Sequence, residues 1–138
     1  MSENLTRFGV SIPHSLLASF DSLIDKSGYA NRSEALRDLI RDYIVEREWE
    51  SDEETIGTVT LVYDHHIREV AEALTHIQHE MGDAIVSALH VHLDHHLCLE
   101  VIVAKGKSSE IRKLADRLIG TRGVVHGKLT SATVGRSF

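Results

Sequence analysis

Residues 90–100, with the sequence HVHLDHHLCLE, contain four of the ten histidines and the single cysteine of the chain. In a β-strand, side chains two residues apart share a face, so His90 and His92 point the same way. A three-residue turn over 94–96 places His92 directly opposite Cys98, about 5 Å away on that face. Imidazole and thiolate groups bind borderline and soft metal ions. The hairpin therefore predicts a metal site that lacks one ligand.

Along both strands of this hairpin, apolar residues alternate with the face that carries His90, His92, Cys98 and Glu100. They are Val91 and Leu93 before the turn, and Leu97, Leu99, Val101 and Val103 after it. We expect this apolar face to point toward a core and the histidines to lie on the polar face. The alternative interpretation is a solvated histidine face with a cysteine that acts as a small hydrophobic residue.

The composition restricts the class of protein. A length of 138 residues allows one domain or two small ones. A net charge of −6 does not by itself indicate a nucleic-acid-binding protein. One cysteine excludes an internal disulfide and fits a reducing cytosol. No apolar run approaches the roughly 20 residues that cross a bilayer, and the first residues do not resemble a signal peptide. We expect a cytoplasmic protein without a membrane partner.

Residues 1–50 predict a strand followed by two helices. Residues 7–12 alternate, with Phe8, Val10 and Ile12 on one face, which is typical of a half-buried strand. One helix follows Pro13 and ends before Gly28, and a second begins at an Asn31–Glu34 capping box. Three such elements cannot bury their apolar faces alone, so we expect a dimer whose paired strands fit the DNA major groove. A generic helical dimerisation module is the alternative.

A charged run over 46–55 marks the domain boundary. We interpret 1–50 as the DNA-binding domain, 51–56 as a linker and 57–138 as a regulatory domain; Trp49 could pack against either domain. Strands over 58–63, 84–93, 97–104 and 124–133 alternate with a helix over 65–81 and a helix capped by Ser109. This βαββαβ order predicts an α+β, ferredoxin-like fold with helices on one sheet face. Another subunit is expected to cover the other face.

The helix predicted over 65–81 carries three histidines on its polar side. His65, His76 and His79 lie roughly 150° from the centre of its apolar face. We expect His65 and His76 to be simply exposed to solvent. His79, near the helix end, could instead reach a metal ion held by the hairpin of a neighbouring subunit.

Several motifs together resemble those of the NikR family of nickel-responsive repressors. They are GY at 28–29, ANRSEA at 30–35, QH at 78–79, the 89–100 hairpin and GVVHG at 123–127. The resemblance covers nearly the whole chain. It implies a ribbon-helix-helix domain followed by an ACT-like domain, assembled as a homotetramer that is a dimer of dimers. It also implies one Ni(II) per subunit, bound in a square plane by three imidazoles and one thiolate.

The resemblance assigns roles to individual residues. The implied nickel ligands are His90, His92 and Cys98 of one subunit and His79 of its partner. Arg7, Gly9 and Ser11 would face DNA base edges, while backbone N–H groups of Asn31, Arg32 and Ser33 would contact phosphate. The family commonly has a hydroxyl residue where this chain has Gly9, so we expect DNA binding to be kept but the DNA sequence that is read to differ. Glu34 and Asp38 match positions that the family uses to bind a second cation. The alternative is an exposed acidic pair on a helix.

The expected function is repression of nickel-uptake genes through binding of double-stranded operator DNA when nickel is present. The alternative is a ribbon-helix-helix regulator or antitoxin that senses a small molecule or a different metal. An enzyme is not expected, because four protein ligands would leave no open position for a substrate.

Overall fold

The computed structural model describes residues 4–136 and residue 138. They form two compact units, which divide after Ile40. The helices are α1 (His14–Lys26), α2 (Arg32–Glu50), α3 (Arg68–Glu80) and α4 (Ser108–Ile119). The strands are β1 (Glu54–Asp64), β2 (Ile85–His92), β3 (Leu97–Lys107) and β4 (Val124–Ser131). Within the described part of the chain, no helix is both long and apolar enough to cross a membrane.

Many large apolar side chains of the first unit are exposed, among them Leu5, Leu16, Leu23 and Leu39. None of the residues of α1, all of which are described, is buried. Asn31 accepts a hydrogen bond from the Glu34 N–H at 2.9 Å, and Glu34 accepts one from the Ala30 N–H at 3.1 Å. This reciprocal cap explains why α2 begins where the sequence predicts.

The strand predicted over 7–12 does not form in the single chain. Residues 4–13 have no regular secondary structure, and Phe8 and Val10 are 75% and 72% exposed. A lone segment has no neighbouring strand to accept and donate backbone hydrogen bonds, so its alternating pattern cannot produce a ladder by itself.

The second unit has the predicted βαββαβ order. Its four strands are antiparallel in the order β2-β3-β1-β4. Helices α3 and α4 pack on one side of this sheet, and the core lies between the sheet and these two helices. The largest fully buried aliphatic side chains of the core are Val59, Leu61, Leu74, Ile102, Ile111, Leu114 and Leu118.

The two faces of the hairpin are opposite to the expected ones. Along β3, Cys98, Glu100 and Ile102 are buried under the helices, whereas the alternate apolar residues are only half-buried. On β2, Val91 remains 42% exposed and Leu89 remains 60% exposed. Alternation separates two faces but does not say which one the helices cover. The face with Cys98 is therefore the core face, and the apolar face of the hairpin is open.

The start of α4 also differs from the prediction. Ser109 lies within the helix, and Lys107, at the N-cap position, makes no side-chain cap hydrogen bond. Asp52 supplies the cap instead, because its Oδ1 accepts a hydrogen bond from the Ser109 N–H at 2.9 Å. Hydrogen bonds from Ser109 hold the pKa of the Asp52 carboxyl below its ordinary value. Because Asp52 is far from α4 in the sequence, the residues next to this helix do not reveal the cap.

Trp49, in the last turn of α2, is part of the second unit's core. It is 3% exposed, and its Nε1–H donates to the Ala132 carbonyl at 2.9 Å. Its ring lies over Gly57, where an added Cβ would be 3.0 Å from the ring edge. The Arg112 guanidinium lies over the same indole ring, 5.3 Å from its centroid. These contacts make the end of α2 an integral part of the second unit.

Trp49→Ala is expected to lower the free energy of unfolding by about 3–5 kcal/mol, as for other buried large-to-small changes. The loss combines the cavity over Gly57 with the loss of one of the two hydrogen bonds to the Ala132 carbonyl, which keeps the Thr55 hydroxyl as a donor at 3.0 Å. Tyr43→Ala is the matched control, because Tyr43 lies on the same helix and is 59% exposed; it should change stability by less than about 0.5 kcal/mol. Urea unfolding of the full-length chain measures both. Equal losses would show that Trp49 is not an anchor.

Candidate metal centre

The β2–β3 hairpin has the register predicted from its turn. His92 is paired with Cys98, and His90 is paired with Glu100. The turn is closed by Asp94, whose Oδ1 accepts hydrogen bonds from the N–H groups of His96 at 2.8 Å and Leu97 at 2.7 Å. These hydrogen bonds lower the pKa of the Asp94 carboxyl. The turn therefore fixes which residues share the core face.

Cys98 and His90 are neighbouring candidate ligands on the hairpin. The Cys98 Sγ is 3.9 Å from the His90 Nδ1, and Cys98 is 1% exposed. Burial beneath the helices protects the thiol from solvent, while the edge position of β2 leaves the His90 side chain 55% exposed. A thiol and an imidazole at this separation could bind one ion after small side-chain movements.

Glu100 is a buried carboxylate next to this pair. It is 1% exposed; its Oε1 accepts a hydrogen bond from the Tyr63 hydroxyl at 2.7 Å, and its Oε2 accepts one from the Gln78 amide at 2.9 Å. The same Oε2 lies 3.6 Å from the His90 Nε2. Burial is the main cause that raises the pKa of the Tyr63 hydroxyl, and the hydrogen bond to Glu100 raises it further. Glu100 thus joins β1 and α3 to the hairpin beside His90.

Strand alternation puts Glu100 on the same face as Cys98 but predicts no role for it. The available signal was a carboxylate in the middle of an apolar strand. A buried charge needs hydrogen-bond partners, and those partners, Tyr63 and Gln78, come from elements that the sequence alone did not align with Glu100.

His92 and His79 do not join His90 and Cys98 in the single chain. The His92 ring stacks on His65, with ring centroids 4.5 Å apart. His79 is exposed on α3, where it lines a shallow groove. Among the described residues, no three histidine, cysteine, aspartate or glutamate side chains are arranged to hold a metal ion. One chain therefore supplies candidate ligands without completing a site.

The histidines before α3 differ from expectation. The helix begins at Arg68, so His65 and His66 lie in the preceding turn. Asp64 causes this delay, because its carboxylate accepts a hydrogen bond from the His66 N–H at 2.9 Å and stabilises a turn. His65 is partly buried rather than simply exposed. His76 is exposed, as expected.

The candidate DNA-contacting residues lie at the surface of the first unit. Arg7, Gly9 and Ser11 are exposed. Arg32 uses its guanidinium in a two-pronged ion pair with Asp21, at 2.7 and 2.8 Å. That ion pair lowers the pKa of the Asp21 carboxyl. It leaves the backbone N–H of Arg32, which is the group assigned to phosphate, unaffected.

The candidate cation pair already makes hydrogen bonds within the protein. Glu34 accepts a hydrogen bond from the Ala30 N–H at 3.1 Å, as part of the α2 cap. Asp38 accepts one from the Tyr29 hydroxyl at 2.8 Å. A cation at this place would have to share both carboxylates with these donors.

Comparison with known proteins assigns both parts of the chain. Residues 56–132 match the family model described as the NikR C-terminal nickel-binding domain, and residues 6–47 match that of ribbon-helix-helix proteins of the copG family. The chain belongs to the NikR family. It is therefore a transcriptional regulator of the nickel-responsive class and not an enzyme, and the predicted α+β combination of domains is confirmed.

Relatives of the NikR chain match it over nearly their full length. It is 62% identical over 130 residues to a candidate nickel-responsive regulator of Geobacter sulfurreducens, covering 94% of each chain. It is 55% identical over 133 residues to one of Thermococcus onnurineus and 56% identical over 133 residues to one of Pyrococcus furiosus, covering 96% of each chain in both cases.

Proposed function

We propose that this chain represses nickel-uptake genes by binding operator DNA when Ni(II) occupies a site shared between subunits. The ligands are His90, His92 and Cys98 of one subunit and His79 of another. The observation that carries this proposal is the incomplete ligand set: Cys98 and His90 are 3.9 Å apart on the hairpin, while His79 is exposed elsewhere. The donor set fits nickel, because borderline nitrogen ligands with a thiolate in a plane suit Ni(II). Each chain supplies one set, hence one nickel per subunit.

Two uncovered apolar surfaces in one chain support a homotetramer. The first is the segment with Leu5, Phe8 and Val10, all more than 70% exposed. The second is the open face of the hairpin, with Leu89 and Val91 exposed. If each surface pairs with its counterpart on another copy, two different two-fold interfaces result. Their combination gives a dimer of dimers, with 1–50 forming one kind of contact and 57–138 the other.

Pairing of the 7–12 segments would create the DNA-binding surface. Two such strands form an antiparallel ribbon that fits the major groove, with Arg7, Gly9 and Ser11 toward base edges. The N–H groups of residues 31–33, at the start of α2, suit a phosphate because helix N-termini attract anions. Gly9 offers no side chain, so that position would contribute through close backbone approach. DNA binding places the working protein in the cytoplasm.

Regulation follows from where the ligands lie. A ligand shifts a protein only toward the conformation that it binds better. Bound nickel would join α3 of one subunit to the hairpin of another and so favour a particular arrangement of the tetramer. The favoured arrangement is the one in which both DNA-binding dimers reach their half-sites together.

The test is a gel-shift assay with DNA from upstream of nickel-uptake genes. The wild type should shift this DNA with nickel and not without it, and His92→Ala should shift it in neither case because a ligand is missing. His95→Ala is the matched control, since His95 is an exposed residue of the same hairpin and should retain nickel dependence. Equal binding by the wild type with and without nickel would contradict the proposal.

A further inference from the structure

The His92 ring is placed by a neighbouring imidazole and not by its strand alone. Strand register puts His92 directly opposite Cys98. Its ring nevertheless stacks on His65, with centroids 4.5 Å apart and planes only 12° from parallel. Within residues 4–136, His92 does not join His90 and Cys98 in a group arranged to hold a metal ion. The stack and the ligand set therefore compete for the same ring.

His65 has a defined position against the hairpin. Its backbone N–H donates to the His96 carbonyl at 2.9 Å, which ties the end of β1 to the hairpin turn. Its ring also contacts the His66 ring, at 4.4 Å between centroids. A ring anchored in this way can hold a flexible partner such as His92.

The stacked geometry argues against a metal ion shared by His65 and His92. The nitrogen lone pairs of an imidazole lie in the plane of its ring. Because the two planes are nearly parallel, lone pairs from both rings do not converge on one point. In this arrangement His65 can orient His92, but it cannot be a second ligand to the same ion.

The stack also carries a cost. The Nε2 atom of His65 is buried and, within the part of the chain that the structure describes, has no hydrogen-bond partner. An unmade hydrogen bond at a buried polar atom is unfavourable. This cost offsets part of the stabilisation from the stack, so a stronger interaction of His92 can displace it.

We propose that His65 is a positioning residue that holds His92 in a resting orientation in the metal-free protein. Nickel binding then requires the His92 ring to leave the stack; this inference rests on the nickel site proposed above. The affinity of a ligand falls in proportion to the fraction of protein in the binding-competent state. The stack thus lowers nickel affinity and delays the response until nickel is sufficient.

The experiment compares nickel affinities of three full-length proteins by competition with a chelator. His65→Ala, which removes the stack, should bind nickel about three- to tenfold more tightly, the scale expected for an aromatic pair. His65→Phe keeps a flat ring without nitrogen atoms and should bind like the wild type. His95→Ala is the matched control, because it removes an exposed imidazole of the same hairpin that, among the described residues, makes no ring contact with His65 or His92, and it should bind nickel like the wild type.

A second measurement needs no nickel. In the metal-free protein, the ring current of His65 should shift the imidazole proton resonances of His92, as observed by NMR. This shift should disappear in His65→Ala and persist in His65→Phe. Both variants are compared with the wild type under the same conditions, so a general loss of folding would be visible across the spectrum.

Each other result would overturn the inference. Weaker nickel binding in His65→Ala with normal binding in His65→Phe would mean that the stack prepares His92 for nickel. Weaker binding in both would make a His65 nitrogen a ligand. Unchanged affinity, or unchanged His92 resonances, would remove any role for the stack. A wild type that binds no nickel would refute the proposed function, whereas the metal-free resonances would still report on the stack.

Discussion

Replacing Cys98 by alanine is expected to weaken nickel binding more than about 100-fold, beyond the 10–100-fold cost of losing an outer-shell partner. Nickel-dependent DNA binding should disappear with it. The thiolate is the softest donor in the proposed set, and its loss would leave only imidazoles. Equilibrium competition for nickel measures the affinity, and the sulfur-to-nickel charge-transfer absorption of the wild type should be missing from the variant.

The fold should survive this change, so the two roles of Cys98 can be separated. Cys98 is 1% exposed, but alanine lacks only the sulfur atom, and the loss of stability should be about 1 kcal/mol. Cys98→Ser is the matched variant, because it preserves the size of the side chain but replaces the soft sulfur donor. If both variants bind nickel normally, Cys98 is a small hydrophobic residue of the core and the site lies elsewhere.

Local patterns were sufficient to predict the order of the elements in the second unit and the register of the hairpin. The alternation of β2 and β3 and the three-residue turn placed His92 opposite Cys98, and the structure has this register. The βαββαβ order followed from the periodicity of each segment. These features depend on residues close together in sequence, which is why the sequence alone was enough.

Features that depend on distant contacts were not predictable. The cap from Asp52 on α4 and the packing of Trp49 over Gly57 join separate parts of the chain. The covered face of the hairpin was predicted wrongly, because Cys98 and Glu100 are hidden by helices whose side of the sheet no local pattern specifies. The buried contact of Glu100 with Tyr63 depends on the same packing.

The strand predicted over 7–12 failed for a different reason. Its alternation is real, but a strand needs a pairing partner, and we propose that this partner is another copy of the chain. The candidate metal site has the same property, since His79 and the hairpin remain separate in one chain. For both, we propose that assembly of several chains completes the surface that the sequence specifies.

The largest effect that depends on assembly is expected when two inactive variants are combined. Alone, neither His79→Ala nor Cys98→Ala should show the charge-transfer absorption of bound nickel. Co-expressed in equal amounts, they should recover about a quarter of the wild-type absorption if hairpins and His79 residues combine at random between subunits. Half of the hairpins are intact, and half of the partners that face them carry an intact His79.

A suitable control separates shared sites from nonspecific rescue. His92→Ala combined with Cys98→Ala damages the hairpin in both chains, so no combination of subunits can rebuild an intact site and no absorption should return. If His79 instead binds the nickel held by its own hairpin, the first mixture should also show no absorption, because every chain then lacks one ligand of its site. Recovery only in the mixture containing His79→Ala would place the fourth ligand on the neighbouring subunit, and it would make assembly a condition for sensing nickel.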